Sequence, residues 1–177
     1  MIDLDIRKAY LTDKESVAVL KQQVWISTYA TEGISEEFAN YVLSEFSVEN
    51  ISKTLSDKDK QVLVATFEGN IIGCIEISFN PEIPHQSVQG YPEIAVLYVF
   101  ERFCGKGIGL RLLEESFKMI GNMGLTKTWL TVYHENHRAI DFYIKHHFTQ
   151  IGEMDFILNG KRHKNLIILR EIQHNEI

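Results

Sequence analysis

Apolar and polar positions alternate along this chain in two rhythms: a two-residue period that predicts strands, and a three-to-four-residue period that predicts helices. Ile2 to Arg7 alternates as a first strand, and Thr12 with Glu15 forms a capping-box pattern at the head of a helix running to about Ser27. Ser35 and Ser47 each stand before apolar residues at helical spacing, which predicts helices through about Ser44 and about Leu55. Gln61 to Phe67 and Ile71 to Phe79 read as strands joined through Glu68-Gly69-Asn70, a hairpin signal. Pro81, Pro84 and Pro92 then mark a loop from Asn80 that is long enough to be functional or mobile.

Glu93 to Val99 predicts a buried strand, and the helix after it runs from near Ile108 to about Asn122. Leu112, Leu113, Phe117 and Ile120 give that helix a buried face, with Arg111, Glu114, Glu115 and Lys118 opposite. Thr128 to Tyr133 predicts another strand, Asn136 can cap a helix ending near His147, and Ile151 to Leu158 with His163 to Arg170 forms a closing hairpin across Asn159-Gly160. Locally paired strands at both ends around a strand-helix-strand middle imply an α/β (α+β) fold. Its sheet is mixed, mostly antiparallel, of about seven strands flanked by helices.

The 177 residues are 45% hydrophobic, enough for one substantial core and too few for two ordinary domains. A single domain is expected over residues 1–172, with 173–177 a polar tail. No apolar run approaches bilayer length, and the start MIDLDIRKAY has acids where a signal peptide needs a basic, then apolar, segment, so a soluble cytoplasmic protein is expected. Cys74 and Cys104 lie in dissimilar contexts without ligand spacing, which argues against a disulfide framework or a zinc site. The HENH run His134 to His137 is not HExxH and straddles a strand-to-helix boundary, so no metal is expected there either. The net charge of −6 argues against a basic nucleic-acid face. It fits a cationic substrate, although solubility alone explains it equally well.

The chemistry concentrates in EIAVLYVFERFCGKGIGL, residues 93 to 110, where an apolar strand enters a loop carrying Gly105, Gly107 and Gly109 and then opens a helix. Glycines let backbone N–H groups close on a phosphate oxygen, the helix start adds unpaired N–H groups and positive dipole, and Lys106 adds charge. GKGIG lacks the GxxxxGK[ST] spacing of a nucleoside triphosphate loop, and it is not a GxGxxG followed by a distant acid. For this segment alone, a tight turn without a ligand remains an alternative.

A second segment, LTKTWLTVYHENHRAIDFYIKHHF, narrows the choice. Together the two resemble the GNAT superfamily of acyl-CoA-dependent N-acyltransferases over nearly the whole chain. Cys104, Gly107 and Gly109 match its Gln/Arg-x-x-Gly-x-Gly/Ala loop except at the first position, and Asn136, Ala139, Phe142 and Tyr143 match its later Asn-x-x-Ala-x-x-Phe-Tyr helix. The resemblance implies a central parallel pair, strands 93–99 and 128–133, that splays apart to admit acetyl-CoA. It assigns the pantetheine amides to the stretch Leu97, Tyr98, Val99, and the pyrophosphate to backbone amides of Gly105, Lys106, Gly107, Ile108, Gly109 and Leu110. It also gives the Leu97 N–H the task of polarising the thioester carbonyl. Cys104 replaces the usual Gln or Arg, keeps a backbone N–H for the loop, and reads as a small half-buried filler, a redox or covalent role being the alternative.

By two-residue alternation Glu93 shares a face with Ala95, Leu97 and Val99 and occupies the place of the family's glutamate base, the alternative being an exposed or loop-pairing carboxylate. Asn136 and Tyr143 lie two turns apart on one helix face. The resemblance makes Asn136 a contact of the pantetheine arm and Tyr143 the proton donor to the departing thiolate; otherwise Tyr143 is core. His147 stands where the family has a glycine at a helix end that needs positive φ.

Trp25 through Tyr29, residues 34 to 56, WLTVYHEN and GEMDFIL are similar to the bacterial spermidine/spermine acetyltransferase branch. That likeness implies acetyl transfer to a primary amine by direct attack, the amine being a polyamine held by Trp25, Tyr29, Glu32, Glu93 and Tyr133. Glu32, Glu36 and Glu37 supply carboxylates, or else form a solvated first turn. An enzyme for protein N-termini, lysines or an antibiotic amine is the second reading, and an idle acyl-CoA-binding module the third; the presence of Glu93 and Tyr143 counts against the last. No nucleic-acid or membrane partner is expected, and a homodimer only from family habit.

Overall fold

The structure is a computed structural model that describes residues 4–158 and 161–173. Seven strands form one sheet in the order β1-β2-β3-β4-β5-β7-β6: β1 Leu4–Lys8, β2 Lys60–Phe67, β3 Asn70–Ser78, β4 Glu93–Val99, β5 Lys127–Tyr133, β6 Thr149–Leu158 and β7 Lys161–Glu171. The helices are α1 Lys14–Tyr29, α2 Glu36–Glu45, α3 Val48–Ser56, α4 Ile108–Asn122 and α5 His137–Lys145. The sheet is mixed, as the element order implied: β1/β2, β5/β7 and β6/β7 are antiparallel, and β4/β5 is parallel, joined in register at Glu93↔Trp129. Among the described residues no helix is long and apolar enough to cross a membrane.

The helix starts follow side-chain chemistry. Ser35 accepts the Phe38 N–H at 3.1 Å and Ser47 the Asn50 N–H at 3.3 Å, as expected of serine caps. Thr12 does not cap α1. It lies in a 3₁₀ turn, Leu11–Asp13, where the Asp13 carboxylate accepts the Tyr10 N–H at 2.7 Å and pairs with both Arg7 guanidinium nitrogens. A charged acceptor held by a bidentate partner outcompetes a hydroxyl at this boundary. The β2–β3 turn is the two residues Glu68 and Gly69, both at positive φ. Ile2 and the Asn159-Gly160 turn lie outside the described residues.

The chain groups into two compact units, Met1–Ile77 with Val96–Ser116, and Ser78–Ala95 with Phe117–Ile177. In the first, Val17 and Leu20 of α1 and Ile51 of α3 pack on Val62, Val64 and Cys74, with Val96, Tyr98 and Phe100 beside them. Gly73 lets α4 approach the opposite face: a Cβ there would meet the Tyr98 carbonyl at 3.1 Å and Leu112 Cδ1 at 3.3 Å. In the second, Val88, Trp129 and Ile167 form a core with Tyr91, Ile151, Met154 and Leu169. The proline-bounded segment is anchored here, since Trp129 Nε1 donates to the Tyr91 carbonyl at 3.0 Å and Thr128 Oγ1 to that of Pro92 at 2.9 Å.

The first unit also buries charge. Glu76 of β3, 4% exposed, accepts from Lys21 of α1 at 2.7 Å and from Lys60 of β2 at 2.9 Å. Burial alone would raise the Glu76 pKa; Lys21 and then Lys60 outweigh it and hold the carboxyl below its ordinary 4.5. Its contribution to stability is therefore complete above pH 4.5 and is lost as pH falls through the lower, folded value. Glu76→Gln takes the carboxylate from the buried Lys21 ammonium, and urea unfolding at pH 7 should show a loss of about 3 kcal/mol. The gap to the parent should narrow below pH 4.5, as the parent's own carboxyl protonates. A gap that does not change with pH would contradict the ionic account.

Candidate functional site

The glycine loop leaves β4 at Val99, passes a 3₁₀ turn over Glu101–Phe103 and enters α4. The Cys104 N–H, which the sequence counted among the anion donors, is engaged in the turn, donating to the Glu101 carbonyl at 3.1 Å. Cys104 Sγ sits 3.5 Å from the Val99 carbonyl, so the half-buried cysteine closes the turn. Gly105 and Gly107 take φ of 75° and 80°, and a Cβ added at either would meet nothing within 4 Å. The backbone is therefore bent into the left-handed region with clear space above it. Gly107 caps α4, its carbonyl accepting the Arg111 N–H at 3.1 Å, so helical geometry gives the N–H groups of Ile108, Gly109 and Leu110 no acceptor inside the helix. Open backbone and a helix N-terminus together suit a pyrophosphate. Lys106 adds an ammonium whose Nζ lies 4.9 Å from the Phe103 ring centroid.

β4 itself is unusual for a strand central in its sheet, because Ala95 is exposed and Val96 to Val99 are only half-buried. Tyr98 packs into the first unit's core with Val96 and Phe100. Alternation turns Glu93, Ala95, Leu97 and Val99 to the other face.

Trp25 and Tyr29, one turn apart on α1, come together at 4.4 Å between ring centroids. Sequence reasoning missed three partners of Trp25: Tyr41 at 4.9 Å, Phe46 at 5.8 Å and Phe38 at 6.3 Å. The signal was present in Phe38 and Tyr41, three apart and therefore on one face of α2. Burial raises the Tyr29 pKa; burial, Glu45 and Tyr29 push Tyr41 up to about 12, so both phenols stay neutral at physiological pH. The buried Trp25 Nε1 has no hydrogen-bond partner. Glu32, Glu36 and Glu37 are exposed, the last two in the first turn of α2.

In the second unit Glu93 is half-buried and follows Pro92, whose carbonyl accepts the Trp129 N–H at 3.2 Å and so fixes where the strand begins. The Tyr133 hydroxyl donates to Glu135 at 2.8 Å, a partner the sequence did not suggest, and its ring lies 5.0 Å from that of His134. Asn136 Oδ1 accepts the Ala139 N–H at 3.2 Å as the cap of α5. Tyr143, on the same helix, is 8% exposed, with the Phe142 and Phe148 rings each 5.3 Å away. His147 takes φ of 65°, the conformation expected at its position.

The model of the acetyltransferase (GNAT) family matches residues 23–148. A spermidine N(1)-acetyltransferase of Thermoplasma acidophilum is 26% identical over 166 residues, covering 90% of this chain and 98% of that protein. A spermine/spermidine N(1)-acetyltransferase of Bacillus subtilis is 27% identical over 97 residues, 54% of this chain and 62% of that protein. The fold matches the crystal structure of the PaiA N-acetyltransferase from Thermoplasma acidophilum in complex with coenzyme A, with a TM-score of 0.79 at 23% identity over 96% of this chain and 99% of that one. With its glycine loop, parallel β4/β5 pair and capped α5, the chain belongs to the GNAT family and is an acetyl-CoA-dependent N-acetyltransferase.

Proposed function

We propose that the acceptor is a primary amine of a polyamine such as spermidine or spermine. The likeness to a spermidine N(1)-acetyltransferase along 90% of this chain and 98% of that protein carries the reading. The exposed carboxylates Glu32, Glu36 and Glu37 support it as partners for a chain of ammonium groups, and the half-buried Tyr29 ring, backed by Trp25, as apolar surface for its methylenes.

Bound acetyl-CoA supplies the acyl group as a thioester. The N–H groups from Gly105 to Leu110 hold its pyrophosphate, Lys106 adds charge, and Leu97, Tyr98 and Val99 offer backbone to the pantetheine arm, with Asn136 Nδ2 as a further contact. Cys104 contributes by shaping the turn, since its N–H is engaged. Glu93 takes the proton from an acceptor that arrives as an ammonium with a pKa near 10. The Leu97 N–H donates to the acyl oxygen as charge gathers there. Tyr143 protonates the departing sulfur.

One observation favours a second reading. The buried Trp25 Nε1–H is a donor without an acceptor, and an ammonium cannot provide one. An amine that also bears a carbonyl or an oxyanion can.

Two experiments test the assignment. Gly107→Val puts a branched side chain on a backbone held at φ of 80° and into the space above the loop, and should weaken acetyl-CoA binding by at least about tenfold in calorimetry with the fold retained by circular dichroism. Unchanged affinity in the folded variant would remove the loop from the cofactor site. Glu93→Gln should lower kcat/KM most near neutral pH and lose less as pH rises, because more acceptor then arrives deprotonated. A pH-rate profile that parallels the parent's would take Glu93 out of the reaction.

A further inference from the structure

α5 ends in a Schellman motif. The Phe148 N–H donates to the Tyr143 carbonyl and the His147 N–H to that of Ile144, each at 3.0 Å, with His147 in the left-handed conformation between them. Tyr143 is thus the residue whose carbonyl closes the helix, and its ring makes the apolar contact with Phe148 that this motif favours. The carbonyl of His146, the residue that caps the helix, falls outside the motif. It accepts Nη1 of Arg170, from β7, at 2.5 Å.

Arg170 is only 4% exposed. Its guanidinium lies 4.2 Å from the Phe117 ring centroid, Phe117 is 6.4 Å from Phe148, and Phe148 is 5.3 Å from Tyr143. One side chain therefore reaches Tyr143 by two routes. The first is a charge-assisted bond to the last carbonyl of its helix, where the dipole favours a cation. The second is a run of three rings in tilted and edge-on contact. A buried guanidinium is a costly way to fill a core, and an apolar residue often serves stability as well or better. What the planar fork adds is direction, because it bonds in its plane while presenting a flat face to the ring.

We infer that Arg170 is a positioning residue for Tyr143, holding the end of α5 and the Phe117–Phe148 pair so that the phenol keeps one orientation. The inference rests on Tyr143 being the proton donor proposed above. Side-chain orientation in a site of this kind matters on the scale of an ångström.

A double-mutant cycle with Arg170→Lys and Tyr143→Phe tests it, reading kcat under chemistry-limited conditions and the acetyl-CoA Kd. Tyr143→Phe should lower kcat by about 10²-fold with Kd changed by less than about fivefold. Arg170→Lys keeps the charge and loses the fork; it should lower kcat about tenfold with Kd within about twofold, and its effect should shrink below about twofold once Tyr143 is Phe. Phe117→Leu, which removes the ring contact and leaves the Arg170 bond, should show the same non-additivity and serves if Arg170→Lys does not fold. Equal losses from Arg170→Lys in both backgrounds, with Tyr143→Phe itself impaired, would overturn the positioning role alone. Near-parental turnover in Tyr143→Phe would overturn the proton-donor reading and the positioning role with it.

Discussion

The constraint on which the chemistry of this chain depends is a backbone one: a central strand must end, bend through left-handed φ at Gly105 and Gly107, and begin a helix with its first N–H groups unspent. Nothing in that sequence of events needs a charged side chain, and Cys104 closes the turn without one. The turn is closed by the Cys104 amide on Glu101, and the N–H groups that helical geometry leaves without an acceptor come after it, at the start of α4. Any side chain larger than hydrogen at Gly107 both strains the bend and fills the space above it.

The remaining roles are distributed by local rules that each unit satisfies within itself. In the first, α1 is tied to β3 by the buried Lys21–Glu76 pair and carries Trp25 and Tyr29 in the following turns, so the charge that fixes the helix also fixes an aromatic face. In the second, Asn136 starts α5 and the Schellman motif with Arg170 ends it, leaving a helix of nine residues determined at both ends and carrying Tyr143 near its close. A short helix has little stability of its own, so its caps and packing set how firmly its side chains are held.

Much of this was legible in the sequence because it is encoded over a few residues. β4 begins and ends where the apolar run does, Ser35, Ser47 and Asn136 cap as their positions suggest, and His147 adopts the conformation its place demands. What was not legible depends on residues distant in the chain. Thr12 gave way to Asp13 because Arg7 of β1 grips that carboxylate. Glu76 and Arg170, charged residues inside strand patterns, are buried where Lys21 and the His146 carbonyl meet them, which no local pattern announces. Phe38, Tyr41 and Phe46 join Trp25 only once α2 lies against α1. The bend of the glycine loop into a helix was legible from its glycines, whereas the acceptor, which depends on side chains drawn from several elements, was not.

The polyamine acceptor proposed above is tested most directly by the rate of thiol release from acetyl-CoA with spermidine, spermine, α-amino acids, aminoglycosides and lysine peptides offered in turn. Spermidine or spermine should lead in kcat/KM by about a hundredfold or more over the other amines. An α-amino acid, aminoglycoside or peptide in the lead, with the polyamines at background, would contradict it.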